Sequence, residues 1–143
     1  MKIRSTKLVY FSPTGTTKAV VEGIARGIDA IESERIDLTK PAVRLEPLQT
    51  GKNDFLIVGV PVYMGRVPVV IQEWLQSIKA QDTPSVCIVV YGNRVNDDAL
   101  LELRDILAAD GCIPMAAGAF IGEHSFSRDE TPIAAGRPDL RDL

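Results

Sequence analysis

Leu8-Val9-Tyr10-Phe11-Ser12-Pro13-Thr14-Gly15-Thr16-Thr17 is the stretch whose reading decides the fold. Its first four residues are apolar, with β-branched and aromatic members, and read as a buried strand; the next six change to hydroxyls around a proline and a glycine, the mark of a tight loop. Directly afterwards Val20, Val21, Ile24, Ala25 and Ile28 recur at helical spacing, so the loop opens an amphipathic helix. Loop and helix end together make an anion site. Amides left unpaired in a first helical turn point out of the helix and the macrodipole is positive there. The hydroxyls of Ser12, Thr14, Thr16 and Thr17 add donors that can converge on a phosphate. A Walker loop is excluded, because no Gly-Lys-Ser/Thr follows.

At 143 residues the chain is long enough for one domain with a substantial core. A net charge of −3 without a basic block argues against nucleic acid as the main partner. No apolar run approaches the ~18 residues a membrane span requires. The opening Met1-Lys2-Ile3-Arg4-Ser5-Thr6-Lys7 lacks the apolar core of a signal peptide, so the expectation is a cytoplasmic protein. Cys87 and Cys112 lie in or beside apolar runs and form no Cys-x-x-Cys; they read as small buried hydrophobes and cannot build an iron-sulfur or zinc site.

Working outward, 27–33 reads as a turn region, and Glu34-Arg35-Ile36-Asp37-Leu38 alternates polar and apolar as an edge strand does. The prolines and glycine of 39–53 predict a loop with at most a short turn. Phe55-Leu56-Ile57-Val58-Gly59-Val60 is a continuous apolar run, as expected of a central parallel strand, and a loop Pro61-Val62-Tyr63-Met64-Gly65-Arg66 follows it. Pro68 supplies the fixed φ of a first helical position, and Ile71, Trp74, Leu75 and Ile78 share one face of a helix over 69–78, with Trp74 packed on the sheet. Val86-Cys87-Ile88-Val89-Val90-Tyr91 is another buried strand, leading into Gly92-Asn93-Arg94-Val95. Asn96 is expected to cap a helix with Asp97 and Asp98 in its first turn, a buried stripe of Leu100, Leu103, Ile106 and Leu107, and Gly111 at its end. The last strand is placed at 115–121, where Ala116, Ala117, Gly118 and Ala119 allow close packing.

This alternation predicts an α/β domain: a doubly wound, five-stranded parallel sheet with helices on both faces. The strand order 2-1-3-4-5 fits, and its switch point lies at the carboxyl ends of strands one and three, where the loops beginning at Ser12, Pro61 and Gly92 meet.

The spacing Ser12-x-Thr14-Gly15-x-Thr17 resembles the FMN phosphate loop of the flavodoxin family, with Thr16 standing where family loops often carry Asn. Tyr63 with Gly65 resembles the loop that lays an aromatic ring on one face of the isoalloxazine, and Gly92-Asn93-Arg94 the loop on its other side, without that loop's usual second aromatic. The resemblance covers about four-fifths of the chain. It implies a cofactor, FMN, held by Ser12, Pro13, Thr14, Gly15, Thr16 and Thr17 without a paired Lys or Arg, by Pro61, Val62, Tyr63, Met64 and Gly65, and by Tyr91, Gly92, Asn93 and Arg94. It also implies that the Gly65 peptide can turn its carbonyl toward reduced flavin. The stretches Gly122-Glu123-His124-Ser125-Phe126-Ser127 and Pro132-Ile133-Ala134-Ala135-Gly136-Arg137-Pro138-Asp139 resemble flavodoxin modules fused to a two-cluster ferredoxin module. His124 reads as a surface or locally bonded residue near the cofactor edge.

The function implied is electron transfer between protein partners, a ferredoxin-like module among them, with flavin cycling through oxidised, semiquinone and hydroquinone forms and no side chain acting as nucleophile or base. The alternative is an FMN-dependent enzyme reducing quinones with NAD(P)H. A receiver-type signalling domain shares the strand order, but its acidic cluster and phosphoacceptor have no counterpart at Phe11-Ser12 or Val60-Pro61. Pro138-Asp139-Leu140-Arg141-Asp142-Leu143 reads as the opening turn of a fifth helix that is largely missing. The expectation is therefore an irregular tail over 122–143 and an apolar face beside the first helix, covered by a second copy or by a further C-terminal segment.

Overall fold

Alternate residues of the first strand point to opposite sides, and the molecule sorts its core accordingly. The computed structural model describes residues 2–28, 31–141 and 143. Leu8 and Tyr10 of β1 (Ser5–Tyr10) pack with Val20 and Val21 of α1 (Thr16–Arg26), while Val9 faces the side covered by α2 (Val69–Leu75) and α3 (Ala99–Ala109). The same division holds for β4 (Asp54–Pro61), with Phe55 and Ile57 toward α1 and Leu56, Val58 and Val60 toward the other helices. It holds again for β6 (Thr83–Tyr91), where Ile88 and Val90 oppose Cys87 and Val89.

With the edge strands β2 (Glu32–Asp37) and β7 (Cys112–Ile121), these form one five-stranded sheet in the order β2-β1-β4-β6-β7, every pair parallel. This is the doubly wound order expected. Trp74 is buried, its indole N–H donating to the Glu46 carbonyl at 2.9 Å, and Ile71, Leu75 and Ile78 are buried beside it. Both cysteines are free and buried, and burial pushes the Cys87 thiol up to about 12 and that of Cys112 to about 11. No described helix is long and apolar enough to cross a membrane.

Several boundaries differ from the sequence expectation, each for a tertiary reason. Within 39–53 there is a 3₁₀ helix, Pro41–Leu45, and a short strand β3 (Gln49–Thr50) that pairs in parallel with β5 (Lys79–Ala80). The buried hydroxyls of Thr50 and Thr83 bond to each other at 2.9 Å there. Helix α2 stops at Leu75, with Ile78 buried just beyond it. Helix α3 begins at Ala99 with Asp98 at the N-cap and no side-chain cap; Asn96 contributes its carbonyl to the Ala99 N–H at 3.1 Å, and Asp97 takes a φ of 42°. Strand β7 begins at Cys112, three residues early, and bulges at Met115 between the pairs Ser85–Pro114 and Val86–Ala116. Asp29 and Ala30 of the predicted 27–33 turn, and Asp142 of the predicted last helical turn, lie outside the described residues. Among the described residues no helix follows β7. On the α1 side the Phe120 ring folds back over Gly118, and Leu143 packs on Gly23 of α1.

Two contacts position the loops at the carboxyl end of the sheet. Gly59 of β4 lies under α1: a Cβ there would overlap the Val21 side chain and stand 3.1 Å from the Thr17 methyl. On the other side Glu102 of α3 accepts from the Arg66 guanidinium at 2.6 and 3.1 Å, from the Val67 N–H at 3.2 Å and from Gln72 of α2 at 2.9 Å. The hydrogen bond from Arg66 is the main reason its carboxyl sits below the usual range.

Gly59→Ala is expected to destabilise the fold by about 1–3 kcal/mol, as overpacking does, read from the denaturation midpoint at constant m-value. For Glu102 the folded pKa lies below the unfolded one, so its contribution is complete above the ordinary carboxyl range and is lost as the pH falls through the depressed value. Glu102→Gln should melt a few degrees below wild type at about pH 7, and the two should converge at an acid pH below the depressed value. An equal gap at both pH values would remove the charge from this account.

Candidate functional site

Where β1, β4, β6 and β7 end, their loops enclose a cavity of about 440 Å³, within the range of small-molecule sites. Ser12, Pro13, Thr14, Thr16 and Thr17 line it from the first loop, Pro61, Val62, Tyr63 and Met64 from the second, and Tyr91 and Gly92 from the third. Gly15, Gly65, Asn93 and Arg94 are not in its wall. Val90 and 122–126 are, and sequence reasoning had placed only His124 of these near a ligand edge. The signal available for the segment was its position immediately after the last strand.

The first loop is built by its own polar groups. Gly15 takes a φ of 85° at the N-cap of α1, a left-handed conformation suited to glycine, and its N–H donates to the Ser12 carbonyl at 3.3 Å. Ser12 does more than line the cavity. Its Oγ accepts the Lys18 N–H at 3.0 Å and so caps the helix from six residues away, while its own N–H donates to Thr39 Oγ1 at 2.8 Å. Of the four amides that the helix start leaves open, Gly15 bonds to the Ser12 carbonyl and Lys18 to Ser12 Oγ, while Ala19 makes the first intrahelical bond, to the Gly15 carbonyl. Those of Thr16 and Thr17 have no such partner among the described residues. The hydroxyls of Thr14 and Thr16 lie 3.3 Å apart beside them, the first helical turn contains no acid, and the Lys18 side chain is exposed.

The second loop is a tight reversal. Tyr63 and Arg66 exchange backbone hydrogen bonds of 3.0 Å in both directions, and Met64 and Gly65 between them have φ of 51° and 76°. Two positive φ angles in succession define a type I′ turn, for which only its second position is a glycine here. Met64 is fully exposed, and Tyr63 stands with its ring centroid 6.2 Å from that of Phe11 in an edge contact. Gly65 is buried beneath the Asp97 carboxylate, which fills the space a side chain would need.

The third wall is tied to the second and to the fourth: Val62 N–H donates to the Val90 carbonyl at 3.0 Å and Gly122 N–H to that of Tyr91 at 2.9 Å. Glu123 is the one acid among the lining residues, and its Oε2 accepts the Gly136 N–H at 3.0 Å. A larger groove of about 740 Å³ runs along α3 past Glu102, Asp105 and Asp110. It collects carboxylates and helix side chains, whereas the smaller cavity collects open helix amides, hydroxyls and aromatic rings. Among the described residues no cluster of His, Cys, Asp or Glu could hold a metal ion.

No family model and no curated protein matches the chain. Solved structures do match in shape. A candidate flavoprotein from Bacteroides uniformis superposes with a TM-score of 0.61 at 16% identity, covering 85% of this chain and 92% of that one. A flavodoxin of Streptococcus pneumoniae gives 0.59 at 14% identity over 85% and 88% of the two chains. A flavodoxin from the domain Archaea gives 0.55 at 17% identity over 82% and 83%. With five parallel strands in the order β2-β1-β4-β6-β7 and these neighbours, the chain has the flavodoxin-like fold.

Proposed function

We propose that the chain binds FMN in this cavity and serves as an electron-transfer domain. The observation that carries the reading is that one cavity is lined both by the hydroxyl loop, with its open helix amides, and by an exposed aromatic ring, Tyr63. The donor set fits a phosphate ester. Two open amides at Thr16 and Thr17 lie beside the Thr14 and Thr16 hydroxyls, and Ser12 keeps its O–H to donate while its oxygen caps the helix. Gly15 supplies the turn and Pro13 the wall. The likeness in fold to two flavodoxins supports the same assignment.

In this reading Tyr63 borders the flavin ring, with Pro61, Val62, Met64, Tyr91 and Gly92 around it. Bound FMN supplies the acceptance and release of one or two electrons; the protein supplies binding, orientation and exclusion of water. Redox proteins are the partners proposed, approaching the exposed rim at Met64.

Purified protein is expected to be yellow and to release FMN on denaturation. Thr14→Val should bind FMN roughly tenfold or more weaker, since a hydrogen bond to a charged group contributes about 1.5–3 kcal/mol, and should bind riboflavin as wild type does. Equal losses for the two ligands would sink the phosphate assignment. Steady NAD(P)H oxidation by the protein alone, with quinone as acceptor, would move the assignment to an oxidoreductase enzyme.

A further inference from the structure

The loop after β6 opens on Gly92, where a side chain would have no room. A Cβ there would overlap the His124 imidazole, with Cγ at 2.8 Å and Cβ at 2.9 Å. The histidine ring therefore lies directly on the Gly92 backbone, and its own segment holds it there. His124 N–H donates to the Ile133 carbonyl at 3.1 Å, its Nδ1 accepts the Phe126 N–H at 3.0 Å, and its carbonyl accepts from Ser127 at 2.8 Å.

Those bonds also fix Phe126. Its ring packs on His124 with centroids 5.2 Å apart, borders the cavity, and is 75% exposed. A turn that orders a phenyl ring and then leaves it in water spends conformational entropy without burying apolar surface. Tyr63, from the β4 loop, borders the same cavity and is 45% exposed. Two ordered aromatic rings, carried by separate elements and both open to one cavity, fit a flat aromatic ligand held between them.

We propose that Phe126, backed by His124, is a binding residue for the flavin ring system, and that 122–126 supplies the wall that Gly92 cannot. The inference rests on the flavin reading above. Phe126 is the contact; His124 is a positioning residue that seats it against the end of β6.

The test uses two ligands that share rings and differ in phosphate. Phe126→Ala, a change at an exposed side chain, is expected to weaken riboflavin and FMN alike by about tenfold, the order that one aromatic stacking contact contributes. It should also return part of the flavin fluorescence that stacking quenches, and Phe126→Trp should restore both the affinity and the quenching. His124→Asn keeps an acceptor for the Phe126 N–H and removes the ring behind it, so its affinity and quenching should fall between wild type and Phe126→Ala. Wild-type binding and quenching in both variants would overturn the ring assignment and leave the flavin reading standing. A wild-type protein that binds neither flavin overturns both.

Discussion

Helix α1 can lie close on the sheet because β4 carries a glycine beneath it. At Gly59 the strand presents bare backbone to Val21 and Thr17, and this sets both the height of α1 above the sheet and the position of its N-terminus. A methyl at that point would lift the first turn away from the ends of β1 and β4, taking the open amides of Thr16 and Thr17 with it. Interiors packed at crystal-like density do not absorb such a change locally. The placing of these open amides at the cavity is thus a consequence of strand-to-helix distance as much as of the loop's own sequence. Ser12 completes it by capping the helix from the strand side, which ties the loop to the same frame.

The rim opposite that loop is held in less favourable backbone conformations. Met64, Asn93 and Asp97 all have positive φ without being glycine, and all lie in the two loops that flank the cavity. Such residues cost about 1–3 kcal/mol each and persist where the surroundings over-determine them. Here the surroundings are the paired hydrogen bonds of Tyr63 with Arg66 and the grip of Glu102 on Arg66, Val67 and Gln72. A carboxylate on α3 therefore fixes a turn after β4, and Asp97, packed on Gly65, joins the loop after β6 to the same unit. The loops are shaped before any ligand arrives.

Much of this was legible in the chain itself, and the legible part is local. The apolar runs at Phe55 and Val86 read directly as central strands because burial on both faces leaves no polar position to confuse the pattern. The stripe containing Ile71, Trp74 and Leu75 gave its helix for the same kind of reason. What escaped was set by partners distant in sequence. Gln49 and Thr50 form a strand because Lys79 and Ala80 lie alongside, and no pattern of two residues announces that. Asn96, chosen as a cap by its residue type, yields that place to Asp98 once Asp97 is turned toward Gly65. In the site, the hydroxyl loop and Tyr63 could be found from spacing, while Glu102, Thr39 and Phe126 reach the cavity loops only through the fold.

The tail after β7 connects the two ends of this account. A helix there would carry the chain away from the cavity and cover the sheet beside α1. The irregular path instead keeps Glu123, His124 and Phe126 at the strand ends, held by bonds from Glu123 to the Arg137 carbonyl and from His124 to that of Ile133. In β7, Gly118 lets the Phe120 ring fold back along the strand, so that one aromatic shields sheet surface on the α1 side. Leu143 adds cover at Gly23, on α1 itself. The last strand and the irregular segment that follows it thus serve different faces: Gly118 admits the Phe120 ring over the sheet, and residues 122–126 wall the cavity.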